Sequence, residues 1–174
     1  ASDVYKRQVL LMWEKAKDFL TRAFTVIFMA TVIIWFMQTF DTRLNVVENS
    51  ADSILAALGR LVSPIFAPLG FGDWRMVTAL VSGFTAKEAV VSTFGVILGV
   101  STEQLGIALH SLFTTASAAS FLAFCLLYTP CVAAVSTIKT ELKSGWKTVG
   151  IVFAQCLVAW LAAFMVYHVG LLLT

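Results

Sequence analysis

Long apolar stretches alternate along this chain with short polar loops, which is the pattern of a membrane protein built from helices. A helix needs about 20 mostly apolar residues to cross a bilayer. Within the second stretch, Arg60, Pro64 and Pro68 predict either a kinked span or a re-entrant hairpin. The five expected membrane elements are residues 23–40, 54–69, 74–99, 110–138 and 149–173.

Composition agrees with this pattern, because 59% of the residues are hydrophobic and only 13% are charged. A soluble domain has about 25% charged residues. We therefore predict an all-α integral membrane protein, a bundle of about five transmembrane helices of which two are broken. The basic stretches 15–22 and 139–147 should face the cytoplasm, giving a multi-pass chain surrounded by lipid. The net charge is only +2 and has no continuous basic patch, which argues against nucleic acid as a partner.

The third apolar element is interrupted by a charged pair, Lys87 and Glu88. A charge at the bilayer centre costs about 3 kcal/mol or more, so an ionisable pair at this depth indicates a functional site. On a continuous helix Glu88 would share a small, polar face with Thr85 and Ser92. One interpretation makes Glu88 a cation ligand or proton acceptor on a solute path. The structural alternative is a carboxylate neutralised by Lys87 or an arginine, either Arg60 or Arg75, at a helix break.

The fourth apolar element is interrupted by Tyr128, Thr129, Pro130 and Cys131. A proline inside a helix removes one hydrogen bond and frees backbone carbonyls, which is tolerated at membrane depth beside protein or a polar cavity. Hydroxyl, carbonyl and thiolate groups together form a mixed ligand set that suits ferrous iron. The alternative is that Cys131 is a small apolar residue packed at a proline kink.

No phosphate-binding loop of the form GxxxxGK[ST] occurs in the sequence. We therefore expect that this chain cannot by itself hydrolyse a nucleoside triphosphate and is not an enzyme. Residues 13–174 are expected to form one helical membrane region. Residues 1–12 are assigned to a leader that is either a connector or extraneous to the natural protein, because its polar part, residues 1–8, matches neither the spans nor any motif.

Several motifs in this order resemble the C-terminal membrane region of the ferrous iron transport protein B (FeoB) family. The resemblance covers about residues 12–170 and is most specific where an Ala-Lys-Glu motif is followed by a Tyr-Thr-Pro-Cys motif. The similar segments are SPIFAPLGF at 63–71, LVSGFTAKEAVVSTFG at 80–95 and LLYTPCVA at 126–133.

The resemblance implies that the chain is the second gate half of an Fe(II) transporter, with Fe(II) as the transported ion. It maps the family's gate cysteine onto Cys131 and its gate carboxylate onto Glu88, which become the candidate metal ligands. The family couples this region to a first gate and to an N-terminal G-domain that hydrolyses GTP, so the chain would be a fragment of a longer protein. Expected surroundings are a prokaryotic inner membrane. Candidate partners are the G-domain, the first gate, small cytoplasmic Feo accessory proteins and a homo-oligomer.

Two other functions stay open at this point. Related gate motifs occur in nucleoside transporters, so the chain could be a nucleoside-recognition gate domain. A purely structural membrane bundle is the third interpretation, under which the Glu88 charge would affect stability alone.

Overall fold

A computed structural model of the chain describes residues 2–85, 89–128 and 132–173. Within these ranges it contains α-helices and no β-strand, apart from an isolated bridge between Phe40 and Val46. Two short 3-10 turns, Ser50–Asp52 and Ala67–Leu69, adjoin the second helix. The helices are α1 Ser2–Thr39, α2 Ile54–Phe66, α3 Trp74–Gly83, α4 Ala89–Leu98, α5 Thr102–Leu112, α6 Thr115–Leu127, α7 Val132–Leu142 and α8 Gly145–Leu173. The all-α prediction is confirmed.

Two stretches are long and apolar enough to cross a membrane, namely α8 and the region Thr115–Leu142 that contains α6 and α7. Two helix pairs pass the same test only when taken together. In one pair α2 and its following turn meet α3 at an angle of 103°, and in the other α4 meets α5 at 80°. The described chain thus has two to four candidate spans, and α1 contains a shorter apolar segment, Phe24–Thr39. A helical membrane bundle with broken elements was the expected architecture.

The expected third element, residues 74–99, is divided into two helices, in agreement with the prediction that it is broken. Its first half, α3, ends at Gly83, and its second half begins as α4 at Ala89 and packs back against α3. The expected fourth element is also divided, since α5 ends at Leu112 and α6 starts with a capping box in which Thr114 and Ser117 bond each other's backbone N–H groups. The chain therefore turns more often than its hydrophobic pattern predicted.

Aromatic side chains form the centre of the core. Phe71, in the loop between α2 and α3, is fully buried, and its ring centroid lies 5.3 Å from that of Phe121 and 5.6 Å from that of Phe66. Phe124 meets Phe66 edge to face at 5.2 Å. Each such aromatic pair contributes about 0.5–1.5 kcal/mol beyond its buried area. This cluster fixes α6 against the loop that joins α2 and α3.

Helix α8 supports the bend between α2 and α3. Trp160 donates its indole N–H to the carbonyl oxygen of Ile65 at 3.0 Å, near the end of α2, where backbone carbonyls lack helical partners. Gly70 follows in the left-handed region with φ of 80°, and the ring of Tyr167 occupies the space where a Cβ would stand. Ser120 of α6 donates to the Ala163 carbonyl oxygen at 2.9 Å, which ties α6 to α8.

Candidate gate site

The backbone segments that border the two motif-containing breaks are in direct contact. After α3 ends, Phe84 presents its carbonyl oxygen to the backbone N–H of Val132, the first residue of α7, at 3.0 Å. Phe84 lies just before the first break, at residues 86–88, and Val132 lies just after the second, at residues 129–131. The chain segments next to residues 86–88 and 129–131, which are far apart in sequence, thus meet in the fold.

Tyr128 stands at the same junction. Its backbone N–H donates to the Phe124 carbonyl oxygen at 2.8 Å, and its ring stacks on the Phe124 ring with centroids 5.4 Å apart. The side chain is 6% exposed. A Cβ built on Gly83 would lie 2.9 Å from the Tyr128 hydroxyl oxygen and would overlap Val90. The absence of a side chain at Gly83 therefore lets the end of α6 and the start of α4 approach α3 closely.

Buried hydroxyl groups connect α3 to α4 beside this junction. Ser82 Oγ and Thr93 Oγ1 are 2.7 Å apart, and Ser82 Oγ is also bonded to the Ala79 carbonyl oxygen at 2.9 Å. Thr85 Oγ1 donates to the Ser82 carbonyl oxygen at 2.7 Å. Such side-chain hydrogen bonds between helices are worth about 0.6 kcal/mol in membrane proteins, with a maximum near 1.7. Of the three bonds, the one between Ser82 and Thr93 joins α3 to α4, the two helices that flank residues 86–88.

One further buried hydroxyl lies along α3 toward α2. Thr78 is 2% exposed, and its Oγ1 has no hydrogen-bond partner among the described atoms. A Cβ on Gly59 would overlap this oxygen, so Gly59 brings α2 close to α3 here. Thr78 and Ser82 are four residues apart on α3, which places them on one helical face, and Thr85 follows just after the helix ends. This spacing is visible in the sequence, yet these positions were not singled out apart from Thr85.

Most of the predicted site residues lie outside the described part of the chain, namely Lys87, Glu88, Thr129, Pro130 and Cys131. Their roles stay predictions. Ser92 and Tyr128 are described, and only Tyr128 is at the junction.

The prediction that Thr85 and Ser92 share a polar face is wrong. Thr85 is buried, whereas Ser92 is exposed with its hydroxyl bonded to the Ala89 carbonyl oxygen at 3.1 Å. The helix ends between them, so the regular 100° rotation per residue on which the prediction depended does not continue. Thr93, one residue further along, is the α4 side chain that faces α3.

Both arginines considered as partners for the Glu88 carboxylate have contacts within the described part of the chain, whereas Glu88 itself lies outside it. Arg75 forms a salt bridge of 2.7 Å with Asp73, the residue that caps the start of α3. Arg60 donates to the Ala51 carbonyl oxygen at 2.8 Å, and its guanidinium lies 5.1 Å from the centre of the Trp74 ring. Over residues 2–85, 89–128 and 132–173, no group of three or more His, Cys, Asp or Glu side chains could hold a metal ion.

The fold and this junction define a class of protein, a helical membrane gate in which interrupted helices meet. The family model described as "Gate: Nucleoside recognition" matches residues 20–145. The chain belongs to this gate family, and it corresponds to the C-terminal membrane region of FeoB-type proteins.

Curated relatives show the same affiliation. The chain is 33% identical over 168 residues to the Fe(2+) transporter FeoB of Methanocaldococcus jannaschii, covering 92% of this chain and 25% of the relative. It is 39% identical over 160 residues to the Fe(2+) transporter FeoB of Staphylococcus aureus strain COL, covering 91% and 24%. A third relative, from Porphyromonas gingivalis, is an Fe(2+) transport protein A/Fe(2+) transporter FeoB fusion protein, 28% identical over 213 residues and covering 94% and 25%. The chain spans about a quarter of the length of these relatives. No solved structure matches it.

Proposed function

We propose that this chain forms the second gate half of an Fe(II) permeation path. One observation supports this most directly: the Val132 N–H to Phe84 carbonyl hydrogen bond joins the neighbours of both motif-containing breaks. Glu88 belongs to the first break and Cys131 to the second. This contact between neighbouring residues supports the proposal that both motifs contribute to one gate.

The types of ligand that the two motifs provide suit Fe(II) as the transported ion. A thiolate at Cys131 and a carboxylate at Glu88 would provide soft and hard ligands together, a combination suited to a borderline divalent cation such as Fe(II). The hydroxyls of Tyr128 and Thr129, with carbonyls released by Pro130, would complete a polar lining. A transported ion needs ligands weak enough to release it, and a small mixed set of this kind meets that requirement better than a closed cage.

The gate would work as part of a longer polypeptide. The curated relatives are about four times the length of this chain, which leaves room for a G-domain and a first gate. In this proposal the G-domain binds and hydrolyses GTP, and the whole protein lies in a prokaryotic inner membrane. The nucleotide state of the G-domain would move the helices at the two breaks, where regular helical hydrogen bonding already stops. Small cytoplasmic Feo proteins and further copies of the polypeptide are proposed partners.

Uptake of radioactive Fe(II) by iron-starved cells tests the proposal. The full-length polypeptide is expressed with Cys131→Ser or Glu88→Gln, and each variant is expected to lower uptake about tenfold or more, since even indirect metal-site changes cost 10–100-fold. Cys156→Ser is the matched control, because Cys156 lies in α8, outside both motif segments. Normal uptake by both gate variants at normal protein levels would refute the proposed path.

A nucleoside-recognition gate is the second candidate, because the matching family model is described by that term. The relatives that cover most of this chain are named Fe(2+) transporters, which favours iron. A competition experiment separates the two. Unlabelled nucleosides should leave Fe(II) uptake unchanged, whereas excess unlabelled Fe(II) should abolish the radioactive signal.

A further inference from the structure

A large groove opens between α4, α5 and α6, on the other side of α4 from the hydroxyl cluster. Its volume is about 640 Å³, within the range of about 300–1,000 Å³ typical of ligand pockets. The floor is formed by buried rings, among them Phe94 and Phe121, which are 3% and 6% exposed. The rim is formed by apolar side chains that stay open to the surroundings, including Leu122 and Leu126.

The groove is long and has one polar end. It follows one side of α6 from Thr115 to Tyr128, and a helix of this length extends about 20 Å. His110, Thr114 and Thr115 lie together at the end near the turn between α5 and α6. The rest of the lining is almost entirely apolar. An amphiphile with a single extended tail has the same distribution of polar and apolar groups.

All three walls belong to segments that qualify as membrane spans by length and composition. At that depth the surrounding solvent is phospholipid, whose acyl chains each fill about half of a hydrocarbon core about 30 Å thick. A groove about 20 Å long has room for one acyl chain of about 15 Å and the glycerol ester group above it. The Thr115 hydroxyl and the His110 imidazole at its polar end can donate to ester or phosphate oxygens.

From this geometry we infer that the groove between α4, α5 and α6 is a binding site for one acyl chain of a membrane phospholipid. The headgroup lies at His110, Thr114 and Thr115. The tail extends along α6 to Tyr128, the residue that also borders the candidate gate. The inference does not depend on iron transport, because occupancy by lipid can be measured directly.

Photolabelling of the unaltered protein is the first test. The full-length polypeptide is reconstituted in vesicles of phosphatidylethanolamine and phosphatidylglycerol that contain a phospholipid with a diazirine in its acyl chain. After irradiation, peptides from the α4–α6 groove should be labelled about tenfold more than peptides from the exposed face of α8 around Leu161 and Met165. The factor follows from burial, because burying two additional methylene groups strengthens binding about tenfold. Equal labelling of the two surfaces would overturn the inference. So would a groove that yields no lipid label and is instead crosslinked to another segment of the polypeptide.

A variant that fills the groove is the second test. Gly106 lies in the lining, and a Cβ there meets nothing within 4 Å, so Gly106→Trp projects an indole into open space. Phospholipid retained through detergent purification, counted by native mass spectrometry, should fall about tenfold. Gly150→Trp is the matched control, because Gly150 also has open space and lies on α8. Unchanged retention in folded Gly106→Trp, or equal loss in both variants, would overturn the inference.

Discussion

At the candidate gate, the close packing of α3 against α4 and the end of α6 depends on Gly83 having no side chain. The last residue of α3 is packed so tightly that a methyl group there would overlap Val90 Cγ2 and lie 2.9 Å from the Tyr128 hydroxyl oxygen. All three residues are buried. Replacing Gly83 with Ala should therefore push α4 and the end of α6 away from α3.

The expected size of this effect follows from two opposing contributions. Inserting a methyl group into a packed site costs about 1–3 kcal/mol. Ala is favoured over Gly inside a helix by up to about 1 kcal/mol, and less at a helix end such as Gly83. We expect Gly83→Ala to lower the free energy of unfolding by about 1–2 kcal/mol.

A double-mutant cycle tests whether the overlap with Val90 is the cause. Val90→Ala removes the methyl group in the way, so Gly83→Ala should cost less in that background than in the natural chain. The coupling energy should be about 1 kcal/mol, within the 0.5–3 kcal/mol found for contacting residues. The free energy of unfolding is measured in lipid micelles for the four members of the cycle.

Gly150→Ala is the control for the effect of Ala on a helix alone, since nothing lies within 4 Å of its Cβ position. It should stabilise α8 by up to about 1 kcal/mol. If Gly83→Ala is as stable as this control, or if Val90→Ala leaves its cost unchanged, the packing of α3 against α4 differs from the one described. Fe(II) uptake measured on the same variants would then show whether this packing matters for transport.

Three further predictions concern the fold around the gate. Gly70→Ala should destabilise the protein more than Gly99→Ala. Both glycines have positive φ, which costs about 1–2 kcal/mol for Ala, but only Gly70 has a ring against its Cβ position. Equal losses of thermal stability in the two variants would contradict this. Thr93→Val should lower the free energy of unfolding by about 0.6–1.7 kcal/mol, because it removes the hydrogen bond to Ser82. Thr93→Ser keeps the hydroxyl and should lose much less. Similar losses in both variants would mean that the shape of the Thr93 side chain matters instead of its hydroxyl. The backbone N–H of Asn45 lowers the pKa of Asp41 in the loop after α1. Hydrogen-exchange protection of this loop should therefore be constant above about pH 4 and disappear as pH falls through the lowered pKa. Protection, corrected for the intrinsic exchange rate, that does not change on acidification would contradict this.

The helical class and the bend after α2 could be predicted from the sequence because their signals are local. The low charge content and span-length apolar stretches indicate a membrane helix bundle. Pro64 and Pro68 followed by Gly70 mark the interruption that the structure shows as a 103° bend. Proline and glycine act on the backbone at their own positions, and a single sequence is enough to detect them.

The charged pair Lys87 and Glu88 predicted an interruption between α3 and α4, whereas the packing of α4 against α3 could not be predicted in the same way. Residues 74–99 contain no proline, and their apolar periodicity continues across the break. The chain reverses there because of contacts between residues on both sides, of which the Ser82–Thr93 hydroxyl pair is one. A hydrogen bond of this kind has value only after the helices have met, so it leaves no periodic signal before folding. The same reason explains why Ser92 was chosen and Thr93 was missed.

The meeting of the two breaks has a physical basis in helix ends. Interrupting a helix leaves unpaired carbonyls at the end of one segment and unpaired N–H groups at the start of the next, and in a bilayer each unpaired group costs several kcal/mol. Phe84 is the C-cap of α3 and offers such a carbonyl, whereas Val132 opens α7 and offers such an N–H. Their hydrogen bond satisfies one group from each break and brings the negative end of one helix dipole to the positive end of another. The end of α3 and the start of α7 therefore each satisfy a backbone group that the other leaves unpaired.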